Sequence, residues 1–379
     1  MRILFVEPFY GGSHRAFADG LRRHSRHEIS LLTLPDSEWR RRMRRGAEEL
    51  AAAAAACEGR VDAIVATSLL DLAAFLAFTR HRFGNTPVLA YFHENQMTYP
   101  RLRGTAFNSW FGQVNYHAAL AADRVAFNSA FHRDDFIGAL RALERQPNNW
   151  LTPAGIASIE RRSSVLPVGV ELTWLDAHRP GRREDGPPVV LWNHRWEFDK
   201  APEVFCRAVR RLAADGVAFR LALAGDPGAN PSPELAQLAE DLAPRVVQAG
   251  RVADREGYAG LLWRSDIVVS TTRHEFFGVS TVEALYCGCF PVVPRRYNYP
   301  DLVPAALHSR CLWESEEDLV EKLRTAISGV DHGTALALRE SAQRFEWARV
   351  IGEWDQVLDA LVADTHSYGM GHRLEATGR

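Results

Sequence analysis

Val189-Val190-Leu191-Trp192-Asn193-His194-Arg195-Trp196-Glu197-Phe198-Asp199-Lys200-Ala201-Pro202 reads as a strand, a polar loop and the start of a helix. Four consecutive apolar residues without polar alternation suit a strand covered on both faces, as in a parallel sheet. Pro202 then falls near the first helical position, where a missing N–H is tolerated. The same alternation continues downstream. Strands are expected at Phe219–Leu223, Val246–Gln248, Ile267–Ser270 and Phe290–Val293, with helices near 201–214, 232–242, 254–264, 279–287, 315–328 and 346–363. Upstream, Ala177-His178-Arg179-Pro180-Gly181-Arg182-Arg183-Glu184-Asp185-Gly186-Pro187-Pro188 is polar, rich in Pro and Gly, and without periodicity. It reads as an interdomain linker.

Before that linker the pattern has already run once. Strands are expected at Ile3–Val6, Ile29–Leu32, Ala63–Ala66, Val88–Phe92, Val125–Phe127 and Val165–Leu166, with helices near 13–24, 36–56, 69–81, 107–122 and 129–145. Strands separated by helices give a parallel sheet with helices on both faces. The expectation is an α/β protein of two doubly wound, Rossmann-like domains facing a central cleft: 1–175, 188–345, and a closing helix 346–364 that packs back on the first. The tail from Thr365 to Arg379 is expected to fray. Open parallel sheets bind ligands at the carboxyl ends of their strands, so the loops just after each strand carry the functional reading.

Composition agrees with this size and class. At roughly 150 residues per domain, 379 residues make two domains or slightly more. Apolar residues at 46% and charged residues at 24% are ordinary for a globular chain and exclude disorder over most of it. The net charge of −2 excludes a globally basic nucleic-acid binder but allows a local basic patch. Only Lys200 and Lys322 are lysines, so arginine carries nearly all positive charge and a lysine in a strand-end loop stands out. Five irregularly spaced cysteines, Cys287-Gly288-Cys289 among them, make no disulfide framework or zinc knuckle and read as small buried thiols. The N-terminus enters a strand directly without a signal-peptide pattern, and no apolar run of about 18 residues exists. A cytoplasmic protein without membrane insertion is expected, and no obligate protein partner is evident.

Four strand-end loops carry chemistry. After the first strand, Glu7-Pro8-Phe9-Tyr10-Gly11-Gly12-Ser13-His14 offers two glycines for close backbone approach and Ser13 as a helix cap, a suitable phosphate cradle. After the fourth comes His93-Glu94-Asn95-Gln96, whose polar groups are costly to bury without partners. After the strand at 189, Arg195 and Lys200 can neutralise a diphosphate, one as a fork and one as a point charge. After Ser270, His274-Glu275-Phe276-Phe277-Gly278-Val279-Ser280-Thr281-Val282-Glu283 places Glu275 in the loop and Glu283 about a turn and a half into the next helix. Two carboxylates so spaced can accept hydroxyls of one extended ligand, while Gly278 admits amide contact at the helix N-terminus. Separately, Trp39-Arg40-Arg41-Arg42-Met43-Arg44-Arg45 is a solvated helical face or an RNA phosphate contact. No zinc-ligand cluster, Walker motif or nucleophile elbow is present.

Arg195-x4-Lys200 with Glu275-x7-Glu283 on two doubly wound halves resembles the GT-B glycosyltransferases of the retaining family 4 type. The words Glu7-x-Phe9-Tyr10-Gly11-Gly12-Ser13-His14, Tyr91-Phe92-His93-Glu94-Asn95-Gln96, Phe127-Asn128-Ser129 and His194-Arg195-Trp196-Glu197-x-Asp199-Lys200 narrow the resemblance to the tRNA-queuosine α-mannosyltransferases. It covers nearly the whole chain. It implies a retaining transfer of mannose from GDP-mannose to queuosine in the anticodon loop of tRNA of the tRNA-Asp type, with no cofactor and no metal. The alternative is a family 4-like enzyme acting on a lipid, glycan or small molecule; a binding module that has lost catalysis and a nucleotide-sugar epimerase are further rivals.

By this resemblance Arg195 and Lys200 bind the donor diphosphate, Glu275 the mannose hydroxyls and Glu283 the ribose, with His93 near the mannose. Gly11, Gly12, Asn193, Phe276, Phe277, Gly278 and Val279 line the donor, and the loop around Arg251 and Val252 selects the base. Ser13, His14, Glu94, Asn95, Gln96 and Asn128 fall on the acceptor side, with Arg40, Arg41 and Arg44 as tRNA contacts.

Overall fold

The computed structural model describes residues 1–100, 109–181, 185–228, 232–329 and 332–375. The chain divides into two compact units, one holding 1–99, 109–169 and the stretch from Trp347, the other the described residues of Val170–Glu346.

The first unit is a six-stranded sheet of β1 (Arg2–Tyr10), β2 (Glu28–Pro35), β3 (Ala63–Thr67), β4 (Val88–Phe92), β5 (Arg124–Phe127) and β6 (Ser163–Val165), in the order β2-β1-β3-β4-β5-β6. The second is a six-stranded sheet of β7 (Val189–Asn193), β8 (Arg220–Ala224), β9 (Val246–Gly250), β10 (Ile267–Val269), β11 (Phe290–Pro294) and β12 (Leu312–Trp313), in the order β12-β11-β10-β7-β8-β9. Every strand pair is parallel. β3, β4, β7 and β11 are buried along their whole length, which is why they read as unbroken apolar runs. Both sheets are doubly wound, as expected. The second has the dinucleotide-fold order, whereas the first has the flavodoxin order with a sixth strand added. The strand order reverses between β1 and β3 in the first unit and between β7 and β10 in the second, so ligand crevices belong after those strands.

Local chemistry explains several boundaries. Asp71, Ser129, Thr152, Asp254 and Ser315 each cap a helix by accepting a backbone N–H. Ser13 does not. The helix Gly12–His24 begins one residue earlier, with Gly11 at the cap and Gly12 at φ +52°, so Ser13 lies inside the first turn. The arginine run opens the helix Trp39–Ala54, and it is not wholly a solvated face. Arg42 is buried, donating to Glu49 at 3.0 Å and to the Pro35 carbonyl at 2.6 Å.

The chain changes unit at Gly169–Val170 and Glu346–Trp347, not along 177–188. Ala177 and His178 close the 3-10 helix Thr173–His178, which is tied into the second unit where the Trp263 indole donates to the Leu175 carbonyl at 2.7 Å. Arg182–Glu184 of the expected linker lie outside the described residues. The last helix, Trp347–Glu375, belongs to the first unit and runs past Thr365; residues 376–379 lie outside the described residues. Trp347 and Trp354 are fully buried, and Trp354 donates to the Pro167 carbonyl at 3.1 Å. Trp347 fits because Gly20 and Gly169 carry no side chain; a Cβ on either would come within 2.2 Å of the indole. Among the described residues, no helix is long and apolar enough to cross a membrane.

Candidate active site

In the second unit, the loops after β7 and β10 meet across the point where the strand order reverses. The Thr271 hydroxyl lies 2.9 Å from the Lys200 carbonyl and 3.1 Å from that of Ala201. The Arg273 amide donates to the Asp199 carbonyl at 2.7 Å, and the Thr272 hydroxyl reaches the same oxygen at 3.0 Å. Ala201 adopts φ +46°, a left-handed backbone that turns the chain sharply into the helix Pro202–Ala214. This stitching brings together residues 75 positions apart in sequence. Lys200 Nζ lies 3.5 Å from Glu275 Oε2 and 3.2 Å from Asp199 Oδ2.

The Lys200 side chain is only 14% exposed. Burial alone would lower its pKa; Glu275 and then Asp199 outweigh burial and hold it above the usual lysine value. It is a fixed cation. Near it lie His194 and His274, whose pKa values fall to about 3 and about 4, first through burial and then through Lys200. Both are therefore neutral near pH 7, and His194 Nε2 is buried with no hydrogen-bond partner among the described residues.

Arg195 is placed differently. Its side chain is 61% exposed, its guanidinium lies 3.0 Å from Glu197, and it is near enough to Lys200 to act on that ammonium electrostatically. Arg251, after β9, is more exposed still and lies 3.8 Å from Asp226, two strands from β7; Val252 beside it is half-buried.

Glu283 sits in the helix Val279–Tyr286, which starts from Gly278 at φ +100°. A Cβ on Gly278 would press on Leu302 at 3.0 Å, so both backbone and space require glycine there. The Tyr258 hydroxyl donates to Glu283 Oε2 at 2.9 Å, and Asn193 Nδ2 lies 3.3 Å from that hydroxyl and 3.0 Å from the Ser280 carbonyl. Burial raises the Glu283 carboxyl to about 7 while the Tyr258 hydrogen bond pulls it down. Phe276 and Phe277 are buried; they pack the loop rather than face solvent, and Asn298 fixes the Phe277 carbonyl at 2.8 Å.

In the first unit, the register of β1 against β2 slips between Glu7 and Tyr10. Fully buried Glu7 accepts the Phe9 amide at 2.8 Å and pairs with His14 Nδ1 at 3.0 Å. The His14 and His93 rings are 4.5 Å apart. His93 is held well below the usual histidine pKa by burial and then by His14 and His132, and its Nε2 is buried without a hydrogen-bond partner among the described residues. One ligand atom from each of Glu7, His14 and His93 lies within 4.8 Å of the others, and no other such group is found among the described residues. Two imidazoles and a carboxylate could hold a divalent ion; equally, they form an oriented hydrogen-bonding set.

The remaining acceptor-side residues play mixed parts. Asn128 donates to the His93 carbonyl at 2.8 Å and meets His132 at 2.9 Å, so it positions His93. Asn95 is fully buried, its Oδ1 accepting the Met97 and Thr98 amides at 2.9 and 3.1 Å, which makes it the hinge of its own turn. Gln96 and Glu94 bond each other at 3.3 Å. Ser13 and Gly12 are exposed; Gly11 is buried, and a Cβ there would overlap Asp36.

Asp199, Tyr258, His194 and Glu7 escape the sequence reading as site residues. Asp199 and Glu7 lie inside the motif words, but nothing in the sequence says which way they point. Tyr258 lies in the helix Arg255–Arg264 and carries no motif signal.

Comparison with known proteins bears on both units. Residues 2–170 match the family model described as tRNA-queuosine alpha-mannosyltransferase N-terminal, and residues 187–329 match glycosyl transferases group 1. The chain is 30% identical to the tRNA-queuosine alpha-mannosyltransferase of Drosophila melanogaster over 335 residues, 85% of each chain. It is 26% identical over 208 residues, 53% of each chain, to a GDP-mannose-dependent alpha-(1-6)-phosphatidylinositol dimannoside mannosyltransferase of Mycobacterium tuberculosis. In fold it resembles Anabaena HepE in complex with UDP (TM-score 0.67, 17% identity, 95% of this chain and 100% of that one). It also resembles sucrose-phosphate synthase from Thermosynechococcus elongatus (TM-score 0.71, 16% identity, 96% and 100%).

Proposed function

The chain belongs to the tRNA-queuosine alpha-mannosyltransferase family and is a glycosyltransferase of GT-B fold, and from that premise we propose that it transfers mannose from GDP-mannose to queuosine in the anticodon loop of a tRNA of the tRNA-Asp type. The observation that carries the donor half is the Lys200–Glu275 pair, a charged ammonium beside a carboxylate at the switch point of the second sheet. The ammonium meets the charge that develops on the leaving diphosphate, and Arg195 can swing from Glu197 to add a fork. Glu275 accepts sugar hydroxyls. Glu283, oriented by Tyr258, accepts those of the ribose.

Transfer with retention proceeds on one face of the sugar. The anomeric C–O bond to phosphate breaks, the acceptor oxygen bonds to the same carbon, and the departing phosphate oxygen takes the acceptor's proton. The protein positions the two partners and stabilises charge. Neutral His93, fixed by Asn128, offers a hydrogen bond near the sugar. With Lys200 countering the diphosphate, the reaction needs no metal, and excess chelator should leave the rate unchanged. The reading places the reaction in the cytoplasm.

The test is incubation with GDP-mannose and tRNA with or without queuosine, read by mass spectrometry of the RNA. A gain of one hexose only on queuosine-containing tRNA supports the reading. Transfer only to a lipid, glycan or small molecule would refute the RNA acceptor and establish the alternative.

A further inference from the structure

The helix Trp39–Ala54 presents a hollow of about 370 Å³ lined by Glu38, Arg41, Arg44 and Arg45. Spacings of three and four residues bring these side chains to one side of the helix. Arg42, Met43, Gly46, Ala47 and Leu50 bury the other side. Arg42 is spent on Glu49 and Pro35. The lining arginines are not spent in this way. Other surface arginines, such as Arg22, Arg141, Arg207 and Arg324, pair with carboxylates. Arg41, Arg44 and Arg45 are exposed and form no ion pair among the described residues. Arg44 lies over the Phe111 ring at 5.4 Å, and neighbouring Arg40 over Trp39 at 4.6 Å.

The hollow is fixed to the end of β1 and the start of the helix Gly12–His24. Phe9 and Trp39 pack on the cluster of Met43, Leu69, Phe111 and Val114. A Cβ on Gly46 would lie 3.1 Å from Pro8, and one on Gly11 would overlap Asp36.

We propose that this hollow is a specificity pocket for one unpaired nucleotide of the acceptor RNA: Arg41, Arg44 and Arg45 hold its phosphates and Glu38 reads an N–H on its base. Three guanidiniums supply forks for phosphate oxygens. A uniform anion patch would have no use for Glu38. A carboxylate that accepts hydrogen bonds selects a ligand with N–H donors beside its phosphate; cytosine, adenine and guanine offer an exocyclic amino group, uracil only a ring N–H. The volume is at the small end of ligand pockets, roughly 300–1,000 Å³, which suits one splayed base of a loop and not a duplex. The proposal rests on the RNA-acceptor reading and adds a residue that discriminates among RNAs.

The test uses the full chain and fluorescently labelled anticodon stem-loops lacking queuosine, with each loop position varied through the four bases. Binding is measured against salt for wild type, Glu38→Gln and the triple variant Arg41→Ala/Arg44→Ala/Arg45→Ala; Tm checks that each is folded, and single Arg→Gln variants replace the triple if it is not. The triple variant should lose about tenfold or more in affinity, with a salt slope smaller by about two, as three single-strand phosphate contacts imply. Glu38→Gln should flatten the base preference at one loop position by about fivefold or more, the size of a lost base-edge contact, while other positions keep theirs. An unchanged salt slope, or an unchanged base profile in Glu38→Gln, overturns the pocket while leaving the acceptor reading intact. Wild type that binds no stem-loop overturns the pocket, and the acceptor reading is then decided separately by the hexose-transfer assay on queuosine-containing tRNA. Loss of binding to vesicles containing anionic phospholipid, with stem-loop binding unaffected, assigns the hollow to a membrane surface and overturns the proposal.

Discussion

Lys200 is one of two lysines in the chain, and its environment explains why a compact cation is used there. Two carboxylates at 3.2 and 3.5 Å keep it protonated despite burial. Lys200→Ala should lower kcat about 100-fold or more, the usual cost of removing a charge-stabilising donor, in steady-state transfer assays; a wild-type rate would remove Lys200 from the donor site. Glu275→Gln should likewise cripple transfer. Glu283 gives a pH signature. Burial raises its carboxyl from 4.5 to about 7. A carboxyl raised on folding contributes stability that is complete below about pH 4.5 and is lost as pH climbs through about 7. Without ligand, wild type should therefore lose Tm relative to Glu283→Gln between those values, and a flat difference would contradict the shift. Tyr258→Phe removes the hydrogen bond that pulls the pKa down, so the same loss should move to higher pH. Lys200, Glu275 and Glu283 could be singled out in the sequence because residue type and spacing suggest their chemistry. Tyr258 and Asp199 could not, because only the direction of a side chain makes them matter.

Elements were legible wherever they were long and fully covered. β4 matches its apolar run from Val88 to Phe92, and most other strands differ by a residue or two. The helices Pro153–Arg162 and Ala335–Gln343 and the two-residue β12 went unread; short elements depend on their neighbours more than on their own periodicity. The strand-end loops carry the element-scale predictions. Gly225 follows β8, and a Cβ there would stand 1.8 Å from the His194 carbonyl oxygen. Gly225→Ala should displace the loop that bears Arg195 and Lys200. We expect a raised donor KM and a lower Tm, and unchanged values for both would show that the loops yield. Ala201 at φ +46° is strained for a residue with a Cβ, so Ala201→Gly should stabilise the fold by about 0.5–1 kcal/mol in denaturant melts.

At the scale of the whole molecule, the C-terminal helix completes the first unit. Trp347→Ala would empty the space that Gly20 and Gly169 leave for the indole, at a cost of about 3–5 kcal/mol, seen as a matching fall in unfolding free energy; a change below about 1 kcal/mol would mean the site collapses around the loss. The sequence by itself indicated two doubly wound parallel sheets, because apolar runs separated by helical periods pack as a parallel sheet with helices over its faces, and a linker-like break restarts the pattern. It also directed attention to the loops after the strands, because chain direction fixes where a parallel sheet opens. Only the tertiary structure decided where the chain changes unit, since a Pro- and Gly-rich stretch looks the same between units as on the surface of one. Only it placed Asp199 beside Lys200, put Tyr258 on Glu283, buried Arg42 and left Arg41, Arg44 and Arg45 without an ion pair among the described residues. Those outcomes depend on which groups approach through space, and sequence spacing carries that information only within a single helix or strand.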